Sequence, residues 1–348
     1  MDRAAPPPAL AAALERIAPN LALVEQSLRA QLASDFELIG VIGEHVLSAG
    51  GKRLRPALLM LTAELCGYTG PRRVQIAAAV ELLHTATLLH DDVVDMASLR
   101  RGRKAARALW GNRRAVLVGD FFYARASSMI VEDGDLDVLL VFSDTIRLMA
   151  EGELLQLQRS FDPGVTEAHY YAVIDRKSAA LLAAACEAGA ILGGVTRAER
   201  RRLADFGREL GLAFQLRDDA LDYCAGEREL GKQPYTDVRE GKVTLPLLLA
   251  LKRCGGPERD EVAAVLKTAA RRSAELEAEG VVAPERVLDE AELAPVLALV
   301  ERHRGVADTD RRAEEHVARA AAAVAPFADG PAKEALLAAA EFAVRRGS

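Results

Sequence analysis

An acidic pentad occurs twice in this 348-residue chain, as Asp91-Asp92-Val93-Val94-Asp95 and as Asp218-Asp219-Ala220-Leu221-Asp222, on segments that both read as helices. On a helix the first and fifth residues of such a pentad share a face one turn apart and the second sits about 100° round, so each copy aims carboxylates in one direction. The copies stand 127 residues apart, at positions 91 and 218. A fold that pairs them must return distant helices to one place, which a helical bundle does through side chains that meet in its core.

Like charges this close repel. They are relieved either by taking up protons or by hard divalent cations that accept oxygen ligands. Two facing pentads therefore imply a cage for several Mg²⁺ ions. Because Mg²⁺ keeps few protein ligands and completes its octahedron with water and phosphate oxygens, a diphosphate substrate is implied as well. Acidic runs on helices are commonly solvated faces, but the flanks argue otherwise. Val80 to His90 and Leu210 to Leu216 are largely apolar, as at the mouth of a hydrophobic cavity.

Half of the residues are hydrophobic, and stretches such as Lys177 to Leu192 and Ala313 to Val324 have helical composition with few strand formers, which predicts an all-α protein. A net charge of −6, from 51 acidic against 45 basic residues, gives no nucleic-acid footprint. Four cysteines without ligand-like spacing indicate neither a zinc site nor a disulfide framework, so a cytoplasmic setting is expected. No apolar run approaches a membrane span, and no signal core follows the N-terminus.

After a short disordered lead over residues 1–8, the pattern predicts helices near Ala9 to Leu32 with a boundary at Pro19, Leu38 to Ser48, Pro56 to Cys66 and Arg72 to Asp95. Further helices are expected near Arg113 to Glu132, Leu136 to Arg159, Thr166 to Gly193, Ala198 to Tyr223 and Thr244 to Lys252. The Gly-rich, charged stretch from Cys224 to Val243 reads as a lid. The segment from Arg253 to Pro295 is charged and loosely patterned and suggests no role.

Cations sit at the positions diphosphate chemistry needs. Gly51-Lys52-Arg53-Leu54-Arg55-Pro56 leads into a helix start, a ready anion site or an ordinary basic loop. Arg100-Arg101-Gly102 follows the first pentad, as charge balance or as a clamp on two separate diphosphates. Lys177-Ser178, Lys232, Asp237 and Lys242 complete the set. His84, two turns before Asp91, is a core histidine or the partner of an anion.

In these pieces, together with Glu81-Leu82-Leu83-His84, Phe214-Gln215, Glu240-Gly241-Lys242 and Thr244-Leu245-Pro246, the chain resembles the trans-isoprenyl diphosphate synthases, the polyprenyl synthetase family, from about Leu38 to Ala250. His84 to Phe121 is similar to its long-chain bacterial members. The resemblance implies a single all-helical domain over residues 9–348, with a central cavity, working as a homodimeric prenyltransferase. Isopentenyl diphosphate is added to an allylic diphosphate, farnesyl diphosphate being the expected starter, to give about a C40 all-trans product for a quinone side chain. Three Mg²⁺ ions are expected on Asp91, Asp95 and Asp218, with Asp92, Asp219 and Asp222 among the catalytic acids. Arg100, Lys177, Ser178, Gln215, Lys232 and Lys242 would hold the allylic diphosphate, and Lys52, Arg55, His84 and Arg101 the isopentenyl diphosphate.

Chain length would be set below the first pentad, where Thr87 and Ala86 are small and Leu83 lies a turn further; Ile130 and Phe142 are candidates for the floor and read equally as core. Peripheral membrane contact is expected on product release, without a membrane span. Rival readings are a synthase of another chain length, a non-catalytic subunit of a heteromeric synthase, and a terpene cyclase. The last has no use for the second-diphosphate residues Lys52, Arg55 and Arg101. Arg217, immediately before the second pentad, places a charge near the expected metal face and departs from the family pattern.

Overall fold

Strong helix formers occupy nearly every segment of the chain, and helices make up almost all the regular structure of the computed structural model, which describes residues 7–50, 53–100, 102–224, 235–279 and 287–345. Helices α1 (Pro8–Ala30), α2 (Glu37–Ser48), α3 (Leu54–Leu65) and α4 (Arg72–Val94) lead to a small antiparallel hairpin. Its strands, β1 (Leu99–Arg100) and β2 (Arg103–Lys104), pair Leu99 with Lys104 and Arg100 with Arg103. Then come α5 (Ala106–Trp110), α6 (Asn112–Asp133) and α7 (Leu136–Gln158). α8 (Glu167–Ile174) passes through a π-turn (Asp175–Ala179) into α9 (Ala180–Leu192), and α10 (Arg197–Cys224) carries the second pentad. The chain ends with the single turn α11 (Thr236–Arg239), then α12 (Leu245–Arg253), α13 (Gly256–Ala278), α14 (Glu290–Arg302), α15 (Gly305–Val324) and α16 (Pro331–Val344).

α4 packs on α6, α3 packs on α4 and α9, and α10 packs on α9 and α15. Helix α9 therefore touches both pentad-bearing helices. Its contact with α10 is close because α10 presents glycine there: a Cβ at Gly207 would run into the carbonyl oxygen of Leu182 and sit 2.8 Å from Ala183 Cα. One at Gly211 would lie 2.6 Å from Ala179 Cα. Two apolar clusters flank this contact, one including Leu83, Ile130, Phe142 and Leu210, the other including Tyr170, Leu212, Leu216 and Leu248. They change over along α10 between Leu210 and Leu212.

The expected boundary at Pro19 is absent, since α1 runs through it. An interior proline costs about 3 kcal/mol through a lost hydrogen bond and a clash one turn back. Here Pro19 lies on the exposed face, where water can satisfy the freed carbonyl. Leu10, Ala13, Ile17, Val24 and Leu28 bury one stripe across both halves. The start of α1 at Pro8 also leaves the expected N-terminal lead shorter by a residue; positions 1–6 lie outside the described residues.

The single helix expected over Thr166 to Gly193 is instead broken by the π-turn. Gly152 of α7 presses there, and a Cβ on it would lie 2.8 Å from both Arg176 Cβ and Lys177 N. Among its described residues, the loosely patterned segment from Arg253 holds two helices. α13 buries Val262, Leu266, Ala269 and Leu276, and α14 opens on a capping box between Asp289 and Glu292.

Replacing Gly207 with Ala should force α9 and α10 apart and lower stability by about 1–3 kcal/mol. Urea unfolding of the variant beside the parent protein measures this directly.

Candidate active site

The first pentad occupies the last turn of α4, with Asp95 as its C-cap. A helix C-terminus carries partial negative charge, so carboxylates placed there lack help from the helix and need cations from elsewhere. Lys242 supplies one, its Nζ 3.4 Å from Asp95 Oδ1 and 2.7 Å from Glu240 Oε2. Lys177, from the π-turn, supplies another and stands 2.5 Å from Glu153 Oε2 on α7. Burial pushes Asp91 up to about 6, with Glu153 and Asp95 adding to the rise and Lys177 and Arg100 opposing it. Burial would raise Asp95 as well, but Lys242, Lys177 and Arg100 outweigh it and hold that carboxyl below its ordinary range. Asp92 is deeply buried and pairs with Arg100 Nε. Arg100 sits on β1, and Arg107 fastens the turn before it by donating to the carbonyl of Met96 at 2.8 Å.

In the second pentad, Asp219 is 2% exposed and accepts two hydrogen bonds, from Tyr170 OH at 2.5 Å and from Gln215 Nε2 at 2.7 Å. Ser178 donates in turn to Gln215 Oε1 at 2.8 Å. Burial raises the Asp219 pKa well above normal, and the charges of Asp237 and Asp218 add to this. Asp222 is fully buried, and its Oδ2 accepts from the backbone N–H of Asp237 at 3.0 Å, which ties α11 back onto α10. Asp218 is half-buried. Arg217 turns onto α15 and pairs with Asp310 at 2.7 Å, so this departure from the family pattern is met by a partner on α15.

Lys242 serves acids from two segments. Burial would lower its pKa, but Glu240, Asp95 and Asp237 together raise it well above normal, so one ammonium faces Asp95 of the first pentad and the acids just before it in the chain. Its backbone is held firmly, because Phe161 N–H donates to Gly241 O at 2.7 Å. Gly241 has φ +81°, and a Cβ there would lie 2.6 Å from the Phe161 ring, so glycine is required on both counts. Lys177, Ser178, Gln215, Asp219, Asp237 and Lys242 line one pocket of about 130 Å³ together with Gln156, Arg159 and the apolar Val165, Val173, Ile174 and Val243.

The acids fit hard cations. Glu153 Oε1 is a buried carboxylate oxygen with no hydrogen-bond partner among the described residues, beside the acids of the first pentad. Among the described residues no three such groups converge on a single point. Mg²⁺ suits acids spread in this way, because it takes few protein oxygens and draws the rest from substrate and water.

Of the remaining expected residues, Arg55 lies in the first turn of α3, which begins at Leu54 rather than at Pro56, and His84 is half-buried on α4. Arg53 serves the scaffold instead: it pairs with Glu25 and, at 2.7 Å, with buried Glu81. Lys52, Arg101 and Lys232, with half of the expected lid, lie outside the described residues. Leu83, Ala86, Ile130 and Phe142 are buried in one apolar cluster, and Thr87 is half-buried beside them. The 130 Å³ pocket opens beside the acids, on the α8 side, and none of those five residues lines it.

Sequence reasoning missed Glu153, Tyr170, Glu240 and Arg107. Glu153 follows Gly152 on a helix of otherwise ordinary pattern, and Tyr170 reads as plain core. Neither carried a signal without its neighbours.

Residues 37–280 match the sequence profile of the polyprenyl synthetase family. The chain is 44% identical over 332 residues to octaprenyl diphosphate synthase of Escherichia coli, covering 95% of this chain and 97% of that one. It is 40% identical over 328 residues to octaprenyl diphosphate synthase of Haemophilus influenzae, covering 94% of each. Among solved structures it superposes on a polyprenyl synthase of Caulobacter crescentus complexed with calcium and isoprenyl diphosphate, with a TM-score of 0.89, 39% identity and full coverage of both chains. A decaprenyl diphosphate synthase of Rhodobacter capsulatus gives a TM-score of 0.85 at 36% identity, covering 95% of this chain and 97% of that one. With its all-α architecture and this match over most of its length, the chain belongs to the polyprenyl synthetase family.

Proposed function

We propose that this protein is a long-chain all-trans polyprenyl diphosphate synthase. It would condense isopentenyl diphosphate 1′-4, head to tail, onto an allylic diphosphate, with farnesyl diphosphate as starter and a product near C40 for a quinone side chain. The observation that carries the reading is that Lys177 and Lys242 both reach acids of the first pentad and also line one pocket with Asp219 and Asp237, a mix of cations and carboxylates suited to a diphosphate with its counter-ions. Near full-length identity to octaprenyl diphosphate synthases supports the long product.

Asp91, Asp95 and Asp218 would hold the divalent metal, taken here as three Mg²⁺ ions. When bound, the metal neutralises the diphosphate leaving group as its C–O bond breaks. Lys177, Lys242, Ser178, Gln215 and Arg100 bind and orient that diphosphate, and Lys232 is assigned with them. Asp92 and Asp222 act through their partners, one by steadying Arg100 and the other by fastening α11. Lys52, Arg55, His84 and Arg101 are assigned to isopentenyl diphosphate, whose alkene attacks the allylic carbon before a proton is lost. The growing chain passes along α4, beside Ala86, Thr87 and Leu83, toward Ile130 on α6 and Phe142 on α7.

The enzyme is taken to act as a homodimer. The outer faces of α6 and α7 expose Leu117, Val131, Leu136, Leu140, Leu154 and Leu157, which on α7 recur at helical spacing along one side. An apolar stripe of this length is suited to a second copy of itself. No helix among the described residues is long and apolar enough to cross a membrane.

Incubation with farnesyl diphosphate, labelled isopentenyl diphosphate and Mg²⁺, followed by sizing of the dephosphorylated products, tests the reading; a product that stops at C15 or C20 contradicts it. Asp91→Ala and Asp218→Ala should each lower turnover at least about a hundredfold in that assay. Ala86→Phe should shorten the product ladder, since it fills the path one turn below the acids; an unchanged ladder would place the chain elsewhere. Leu140→Glu together with Leu154→Glu should convert the dimer to monomer in sedimentation velocity.

A further inference from the structure

We propose that Tyr170 is a positioning residue: it holds Asp219 so that the run of helix bearing Lys177 and the helix bearing Asp218 keep one relative setting. This rests on the reading of the site given above. Both oxygens of Asp219 are taken by side chains, Oδ2 by Tyr170 at 2.5 Å and Oδ1 by Gln215 at 2.7 Å, and Gln215 is itself held by Ser178 at 2.8 Å. Tyr170 on α8 and Ser178 in the π-turn belong to one continuous helical run, so that run reaches α10 at two points, Asp219 directly and Gln215, which itself holds Asp219.

The π-turn makes this double reach possible. In an uninterrupted α-helix residues eight apart point about 80° away from each other. Inserting one extra residue makes them behave as though seven apart, about 20° from alignment. Tyr170 and Ser178 thereby come onto one face, toward α10, and Lys177 is carried between them to the edge of the first pentad. Gly152 of α7 leaves the room the bulge needs.

Tyr170 is a donor here and nothing else. Its hydroxyl keeps its proton because burial and the Asp219 charge drive its pKa well up. With its two oxygens engaged, Asp219 works as a strap between helices, which separates its role from that of Asp218 in the same pentad.

The test compares Tyr170→Phe with Tyr171→Phe, a neighbouring tyrosine whose ring packs against His316, 5.7 Å between centroids, on the side of α15. Loss of a buried hydrogen bond to a carboxylate should raise KM for the allylic diphosphate about tenfold, while KM for isopentenyl diphosphate stays at its parent value. In the metal-free protein, peptides covering Asp175–Ala179 should take up deuterium faster in Tyr170→Phe and at the parent rate in Tyr171→Phe. Parent-like KM and exchange in Tyr170→Phe would overturn the proposal, as would Tyr171→Phe reproducing both effects, because that outcome means general loosening of α8. Ser178→Ala cuts the other arm of the strap. Should Tyr170→Phe not fold, faster exchange over the same peptides in Ser178→Ala supports the strap, and unchanged exchange removes it. A parent protein that fails to elongate allylic diphosphates would refute the functional reading, whereas the exchange experiment judges the strap independently.

Discussion

Carboxylates crowded at the ends of two helices are the constraint from which the rest of this structure follows. Two unit charges 4 Å apart at a protein surface interact by about 4 kcal/mol, a large part of the ~5–15 kcal/mol that holds a domain folded. The protein meets this demand with Lys177 and Lys242, set among Asp91, Asp95, Glu153, Glu240 and Asp237. The two lysines reach the acids by different routes. Lys177 comes from a distorted helix turn and Lys242 from a loop pinned by Phe161 and, through Asp237, by Asp222.

That arrangement also explains why the acids of one pentad do different work. In the first, Asp91 and Asp95 share the field of the lysines while Asp92 turns to Arg100. In the second, Asp219 and Asp222 are absorbed by Tyr170, Gln215 and the backbone of Asp237. A spacing that looks uniform in the sequence is divided by the third dimension into acids that face cations and acids that brace the scaffold.

Close backbone approach makes the bracing effective. Gly207 and Gly211 let α10 lie against α9, and Gly152 lets α7 press on the π-turn, so the helices bearing Asp218 and Lys177 sit almost in backbone contact. Even a methyl at these positions would open the gap that the Ser178–Gln215–Asp219 chain spans. Catalytic groups on rigid elements keep their geometry better than groups on loops, and here both acid groups are helical.

The all-α fold was legible in the sequence, as were the acids and the lysines Lys177 and Lys242 as charged groups at given spacings, because helix periodicity and charge spacing are local properties. Arg53 shows the limit of that reading: it stands beside Arg55 in one basic motif, yet its partners Glu25 and Glu81 come from two other helices and make it structural. Pro19 shows it too, since the stripe that carries α1 through the proline draws its stability from neighbouring helices. The sequence by itself determined which residues are acidic, basic or small, and at what helical spacing. Tertiary structure alone decided that Tyr170 meets Asp219, that Glu153 meets Lys177 and that Lys242 stands between Asp95 and Glu240. Such contacts depend on where separate helices come to rest, and no local pattern encodes that.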